Sequence, residues 1–209
     1  MQHTGAEPAV TNVAIIYYSI HGHAATLAKA IKKGVDSVPG VKGTIYQVAE
    51  TLSEDILAKM HAPPKLDHPI ATPQTLKEAD GILFGYPTRF GDFPAQAKTL
   101  FDSTGQLWAA GDLIGKLGGA FVSTSLLGAG QETTQLMTMA FMVSHGMTFV
   151  PPGYRAKQLF NVDEVHGGSP WGAGTIAGPD NSRQVSALEK EVAVEQGKSF
   201  AEVTKKLSA

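Results

Sequence analysis

The chain has 209 residues, 43% hydrophobic and 17% charged, enough for one α/β domain whose core needs no metal or disulfide staple. It contains no cysteine, which excludes thiol nucleophiles, thiolate metal sites and disulfides, and no metal site is expected. The 17 Lys and Arg against 19 Asp and Glu give a formal charge of −2, which excludes the dense basic face of a nucleic-acid binder.

The opening MQHTGAEPAV has neither the basic nor the apolar run of a signal peptide, and no segment reaches the length of a membrane span. Residues 1–10 are therefore expected to be a short disordered tail on a cytoplasmic protein, with one domain over 11–209. VAIIYYS (13–19) is a continuous apolar run, the pattern of a central parallel strand covered on both faces. From Ala24 the apolar residues Leu27, Ala30, Ile31 and Val35 recur at helical spacing, and Pro39-Gly40 stops that helix. GTIYQVAE reads as a second strand and 53–60 as a short helix. A proline-rich connection follows, and Thr72-Pro73 opens a further helix. GILFGYP (81–87) is a third strand. A helix follows over PAQAKTLFDSTGQLW, with Gly105 just past its end. LGGAFVSTS is a fourth strand, leading to a Met-rich helix that ends near His145-Gly146. MTFVPPGY is a fifth strand and HGGSPWGAGTIAGPDNSR a long loop. The last amphipathic helix spans 184–207.

Strands alternating with helices predict a doubly wound, five-stranded parallel α/β sheet. Ligands bind such sheets beyond the carboxyl ends of the strands, so the loops after strands one, three and four should meet at one cleft. The first, SIHGHA, has neither GxGxxG nor GxxxxGK[ST]. Its Ser19, His21, Gly22 and His23 precede a helix, and a Gly22 with positive φ would turn amides inward as a phosphate nest. Read alone, the same loop is equally an ordinary βα turn. In the second, Pro87 and Gly91 make a tight turn, with Thr88 and Arg89 as polar contacts and Phe90 as an aromatic face for a planar ring. The bland reading makes Arg89 a surface ion-pair residue and Phe90 core. The third, STSLLGAGQE, offers small hydroxylated residues, or a plain helix cap.

Taken together, YYSIHGH, GILFGYPTRFGDFPAQ, GGAFVSTSLLGAGQETT, VPPGY and NVDEVHGGSPWGAGTIAGPDNSRQ resemble the flavodoxin-like NAD(P)H:quinone oxidoreductases of the tryptophan-repressor-binding-protein (WrbA) family. The match is closest to the fungal branch, which includes minor allergens, and covers nearly everything after residue 10. The resemblance implies non-covalent FMN and ping-pong, two-electron reduction of benzoquinone-type quinones to hydroquinones by NADH or NADPH. It implies the FMN phosphate at Ser19, Ile20, His21, Gly22, His23 and Ala24. Pro87, Thr88, Arg89, Phe90 and Gly91 would border the isoalloxazine, and Ser123, Thr124, Ser125 and Gly128 its pyrimidine edge and ribityl chain. Trp108 would border the substrate space, and the chain would form a homo-oligomer, a tetramer or a dimer. The chain departs from the family pattern at His21, where Tyr is common, at Ser125-Leu126-Leu127 and Ala129 of the third loop, and at Ser144.

Protons for the quinone point to His145, since an ordinary histidine titrates near ~6.5. At a helix C-terminus, though, a histidine is often just a dipole-complementing cap, and that is the reading favoured for this one. His166, Trp171 and Tyr154 either close a neighbouring subunit's cleft or pin the late loop. Two other readings fit these motifs: a flavodoxin-type electron carrier, which a charge of only −2 argues against, and a weakly active flavodoxin-like stress or scaffold protein.

Overall fold

Five parallel strand positions, in the order β2-β1-β3-β4-β5, form the centre of the molecule. The computed structural model describes residues 10–208, so the expected tail lies, Val10 apart, outside the described residues. β1 is Thr11–Tyr17, β2 Val41–Gln47, β3 Gly81–Pro87 and β4 Leu117–Thr124. The chain steps from β1 outward to β2, then returns past β1 to β3, so the strand order reverses between β1 and β3. The sheet is the doubly wound, flavodoxin-like arrangement that the alternation predicted.

The two faces follow from the period-2 alternation of side chains along each strand. Val13, Ile15 and Tyr17 of β1 enter a core beneath α1 (His23–Asp36) and α7 (Ala187–Leu207). Ala14, Ile16 and Tyr18 enter the opposite core. There they meet Leu76 of α3 (Pro73–Glu78), Leu100 and Phe101 of α4 (Ala95–Asp102), Leu107 of α5 (Gly105–Ala110) and Met142 of α6 (Gln131–Ser144). Each large apolar side chain buried this way contributes about 1.5–3 kcal/mol. α2 (Glu54–Lys59) is a surface helix with no buried residue. α3 starts at the predicted Thr72-Pro73 pair with a capping box. Gly105, expected just past a helix end, instead opens α5, because the chain turns once at Ser103 and Thr104 and becomes helical again.

The fifth strand departs from the sequence reading. Only Thr148–Phe149 (β5) pairs with the start of β4, since Pro151 and Pro152 have no amide to donate. The same edge of β4 is completed by β6 (Gly174–Ile176), which lies inside the segment read as loop and pairs with Val122, Ser123 and Thr124. Gly174 and the nearby Gly172 carry no hydrophobic signal because there is no room for side chains. A Cβ on Gly172 would sit 2.0 Å from the Ala120 carbonyl oxygen, and one on Gly174 would sit 2.2 Å from Gln131 Oε1. Among the described residues no helix is long and apolar enough to cross a membrane.

Candidate functional site

β1 delivers the first loop to the reversal point of the sheet. Gly22 caps α1 with φ 88°, a conformation that costs an L-residue about 1–2 kcal/mol and glycine little. Its amide donates to Ser19 Oγ at 3.0 Å, while its carbonyl accepts from the Thr26 amide at 2.9 Å. The amides of His23, Ala24 and Ala25, ahead of that first helical bond, have no intrahelical acceptor. Lys65 Nζ donates to the Ser19 carbonyl at 2.9 Å and pairs with Glu50 at 2.8 Å. Burial first, then the positive charges of His23, Arg89 and Lys65, hold His21 below the ordinary histidine range. Free amides at a helix start, facing a positive potential, form a donor set suited to a phosphate.

The second loop is a tight turn in which Arg89 and Asp92 exchange backbone hydrogen bonds at 2.7 and 3.0 Å. Both central residues have positive φ, Phe90 at 55° and Gly91 at 85°, as in a type I′ turn. Phe90 is not core: its ring is fully exposed at the tip, in a backbone conformation that a bulky residue rarely adopts. Arg89 makes no ion pair among the described residues and folds back onto the Thr88 carbonyl at 2.9 Å. Thr88 is tied down by its hydroxyl, 2.8 Å from Thr134 Oγ1 of α6 and 3.1 Å from the Gly91 amide.

The third loop leaves β4 through the buried Ser123 and Thr124. Thr124 Oγ1 donates to the Leu126 carbonyl at 3.1 Å and accepts from Gln131 Nε2 at 3.1 Å, so the wall is braced from within. Ser19, Ile20, His21, His23, Pro87, Thr88, Arg89, Ser123, Thr124 and Ser125 together line one cavity of about 240 Å³, as the three-loop expectation required. Gly22, Ala24, Phe90 and Gly91 do not line it themselves but lie next in the chain to residues that do. Gly128, with Leu126 and Leu127, lines an adjoining cleft of about 370 Å³ that shares Thr124. Three further lining residues, Met60, Ala177 and Asn181, were not anticipated. Only Asn181 carried a signal, since Asn in GPDNS favours the positive φ of 62° that it adopts.

Two expected residues lie elsewhere in the chain. α6 begins at the cleft and runs back along the sheet for 14 residues, about 20 Å, so His145 at its end lies at the opposite, amino-terminal end of the strands, where the Gly146 carbonyl accepts from the Gly115 amide just before β4. There it is buried against Phe141, its Nε2 2.9 Å from Thr104 Oγ1, and burial holds it below its ordinary pKa. That places it away from the cavity lined by the three loops of its own chain. Trp108 stands exposed on α5 and does not line the cavity. In the late loop, Trp171 lies near Phe149, Tyr154 stacks on Phe160, and the His166 ring meets the Gly167 and Asn161 carbonyls at 2.9 Å each. These contacts pin the loop to its own chain.

A parallel sheet whose strand-end loops meet a glycine-capped helix start defines a flavodoxin-like α/β domain. The crystal structure of a WrbA-like flavodoxin from Agrobacterium tumefaciens shares this fold, with a TM-score of 0.67, 22% identity, and coverage of 94% of this chain and 99% of that one. Residues 11–161 match the family described as NADPH-dependent FMN reductase, and the chain belongs to that family. Among curated relatives, the NAD(P)H quinone oxidoreductase PST3 of Candida albicans is 56% identical over 196 residues, 93% of this chain and 98% of that protein. The quinone-oxidoreductase QR2 of Triphysaria versicolor is 52% identical, over 94% of this chain and 97% of its own length.

Proposed function

We propose that the protein is an FMN-dependent NAD(P)H:quinone oxidoreductase. The observation that carries this reading is the convergence of the glycine-capped α1 start, the Pro87-to-Gly91 turn and the Ser123-to-Ser125 wall on one cavity. The residues fit the cofactor: an uncapped helix start beside Lys65, Arg89 and His23 suits its phosphate, and Gly22 has nothing within 4 Å of an added Cβ, leaving the cradle open. When bound, FMN supplies the two-electron hydride chemistry that links NADH or NADPH to a quinone.

The chain's own residues bind and orient. The amides of His23, Ala24 and Ala25 would donate to the phosphate, with Ser19 and His21 beside them. Pro87, Thr88, Arg89, Phe90 and Gly91 border the ring system, and Ser123, Thr124, Ser125 and Gly128 hold its polar edge. Fixed geometry at the turn brings substrate and cofactor into register without reorganisation during the reaction. With His145 at the far end of α6, water in the open cleft protonates the product. Trp108, exposed on α5, would meet a cleft only across a subunit contact. Trp108, Ile114, Leu136, Met137 and Val143 expose apolar surface around that end of the molecule, which supports a homo-oligomer, a dimer or a tetramer. A cytoplasmic location accompanies this reading.

The test is an anaerobic one. NADH or NADPH should bleach the FMN-loaded protein within seconds, and benzoquinone should restore the yellow colour. Bleaching that needs an added reductase would point to an electron carrier instead, and protein that takes up no FMN would point to a scaffold.

A further inference from the structure

The Gly/Pro-rich segment after β5 supplies a fourth wall of the cleft, and a buried charge pair holds it there. Glu189, in the first turn of α7, is fully buried. Its Oε1 accepts from the Gly167 and Ile176 amides at 3.0 and 3.2 Å, and its Oε2 from Thr175 Oγ1 and the Ser186 amide at 2.8 Å each. Arg183 Nη1 lies 3.0 Å from both carboxylate oxygens. The Arg183 fork also donates to the Ile176 carbonyl at 2.7 Å and to the Val165 carbonyl at 2.8 Å. Burial pushes the Glu189 carboxyl up, but donation from Ser186, Arg183, Gly167 and Thr175 outweighs it and keeps the group ionised.

The network is larger than a helix cap requires, because Ser186 and Glu189 already satisfy the start of α7 as a capping box. Its remaining contacts all bear on residues 165–183. The backbone of Arg183 is bonded to Ala177, a lining residue, and its carbonyl accepts from His23 Nε2 at 2.8 Å. A carbonyl only accepts, so Nε2 carries a proton, and the ring plane of His23 is set by where the Arg183 backbone stands. His23 is the first residue of α1 and lines the cavity beside the glycine nest.

We infer that Arg183 and Glu189 are positioning residues for the phosphate end of the cleft, acting through the Arg183 carbonyl on His23. The inference rests on the reading that Ser19 to Ala24 hold the FMN phosphate. It predicts that breaking the clamp weakens binding of FMN, which has the phosphate, and spares riboflavin, which lacks it.

The experiment titrates flavin-free full-length protein with FMN and with riboflavin, following flavin fluorescence, in the wild type, Arg183→Met and Arg183→Lys. Arg155→Met, which removes an exposed ion pair with Glu202, serves as control. In Arg183→Met the affinity for FMN should fall about tenfold or more, the loss expected for a displaced charge-assisted hydrogen bond, while riboflavin changes less than about twofold. Arg183→Lys keeps one donor and should recover part of the loss, and Arg155→Met should match the wild type. The 31P resonance of bound FMN should shift in Arg183→Met, a signature that mere loosening of α7 would not produce. If Arg183→Met fails to fold, Arg183→Lys with the 31P measurement carries the test. A wild type that does not prefer FMN over riboflavin would overturn the phosphate reading itself. A wild type that does prefer FMN, with variants that keep the full preference and an unshifted resonance, would overturn the clamp alone.

Discussion

Thr134→Val removes one oxygen from a buried chain of hydroxyls, and its consequence can be worked out bond by bond. The Gly130 carbonyl can only accept, so Thr134 Oγ1, 2.8 Å away, spends its single proton there. Thr134 therefore accepts from Thr88 Oγ1 at 2.8 Å, and Thr88 in turn accepts the Gly91 amide at 3.1 Å. Valine is nearly isosteric and fills the fully buried site. Gly130 keeps its bonds from the Thr134 amide and Thr133 Oγ1, each at 3.1 Å. The one donor left without an acceptor is the Thr88 hydroxyl proton, at a cost of about 1–2 kcal/mol, while Thr88 Oγ1 still accepts the Gly91 amide. For a domain of this size that corresponds to a fall in Tm of roughly 2–8 °C by scanning calorimetry. Loss of the tether should also loosen the Arg89-to-Asp92 turn, lowering the rate of reoxidation by benzoquinone while the preference for FMN over riboflavin stays unchanged. Thr134→Ser should restore both. An unchanged Tm together with an unchanged rate in Thr134→Val would refute the hydroxyl chain as the anchor of the turn.

Three further outcomes follow from other parts of the site. Phe90→Gly should raise stability by about 0.5–1 kcal/mol, because glycine relieves the positive φ and the exposed ring gives up no core contact, yet it should lower quinone turnover. A lower Tm in that variant would show the ring packing against something in solution. Lys65→Met should raise the pKa values of His21 and Glu50, both of which the ammonium lowers, as read by NMR titration; an unmoved His21 would place Lys65 too far away to matter. Glu189 has a folded-state pKa below its unfolded value of about 4.3, so its stabilisation is present above that pH and is lost as pH falls through the lower folded value. Melting curves between pH 2 and 7 should show this acid loss in the wild type and a flatter limb in Glu189→Gln, and parallel curves would contradict it.

What could be read from the residues was decided by whether the signal was local. The apolar runs of β1, β3 and β4, the Thr72-Pro73 helix start and the glycine at position 22 all act within a few residues of themselves, and each lies where its pattern placed it. The loops' convergence was legible too, because parallel order puts strand ends together. β6 was not, since Gly174 and the nearby Gly172 answer to Gln131 and Ala120, residues more than 40 positions away. The same holds for Glu189 and Arg183, which read as ordinary charges near a helix start and owe their burial to the folded loop. The position of His145 follows from topology: a helix that follows a parallel strand returns to the amino-terminal end of the sheet, so its two ends do not both face the cleft. Met60 reaches the cavity from a short helix with no buried residue of its own, and nothing in its sequence neighbourhood marks it.

The central claim is that the strand-end cleft grips a flavin mononucleotide by its phosphate. A crystal structure of the protein with bound FMN tests it most directly. The phosphate oxygens should lie within hydrogen-bonding distance of the His23 and Ala24 amides, with the ring system beside the Thr88-to-Gly91 turn. A phosphate found away from the α1 start, or a flavin seated elsewhere on the molecule, would contradict the account.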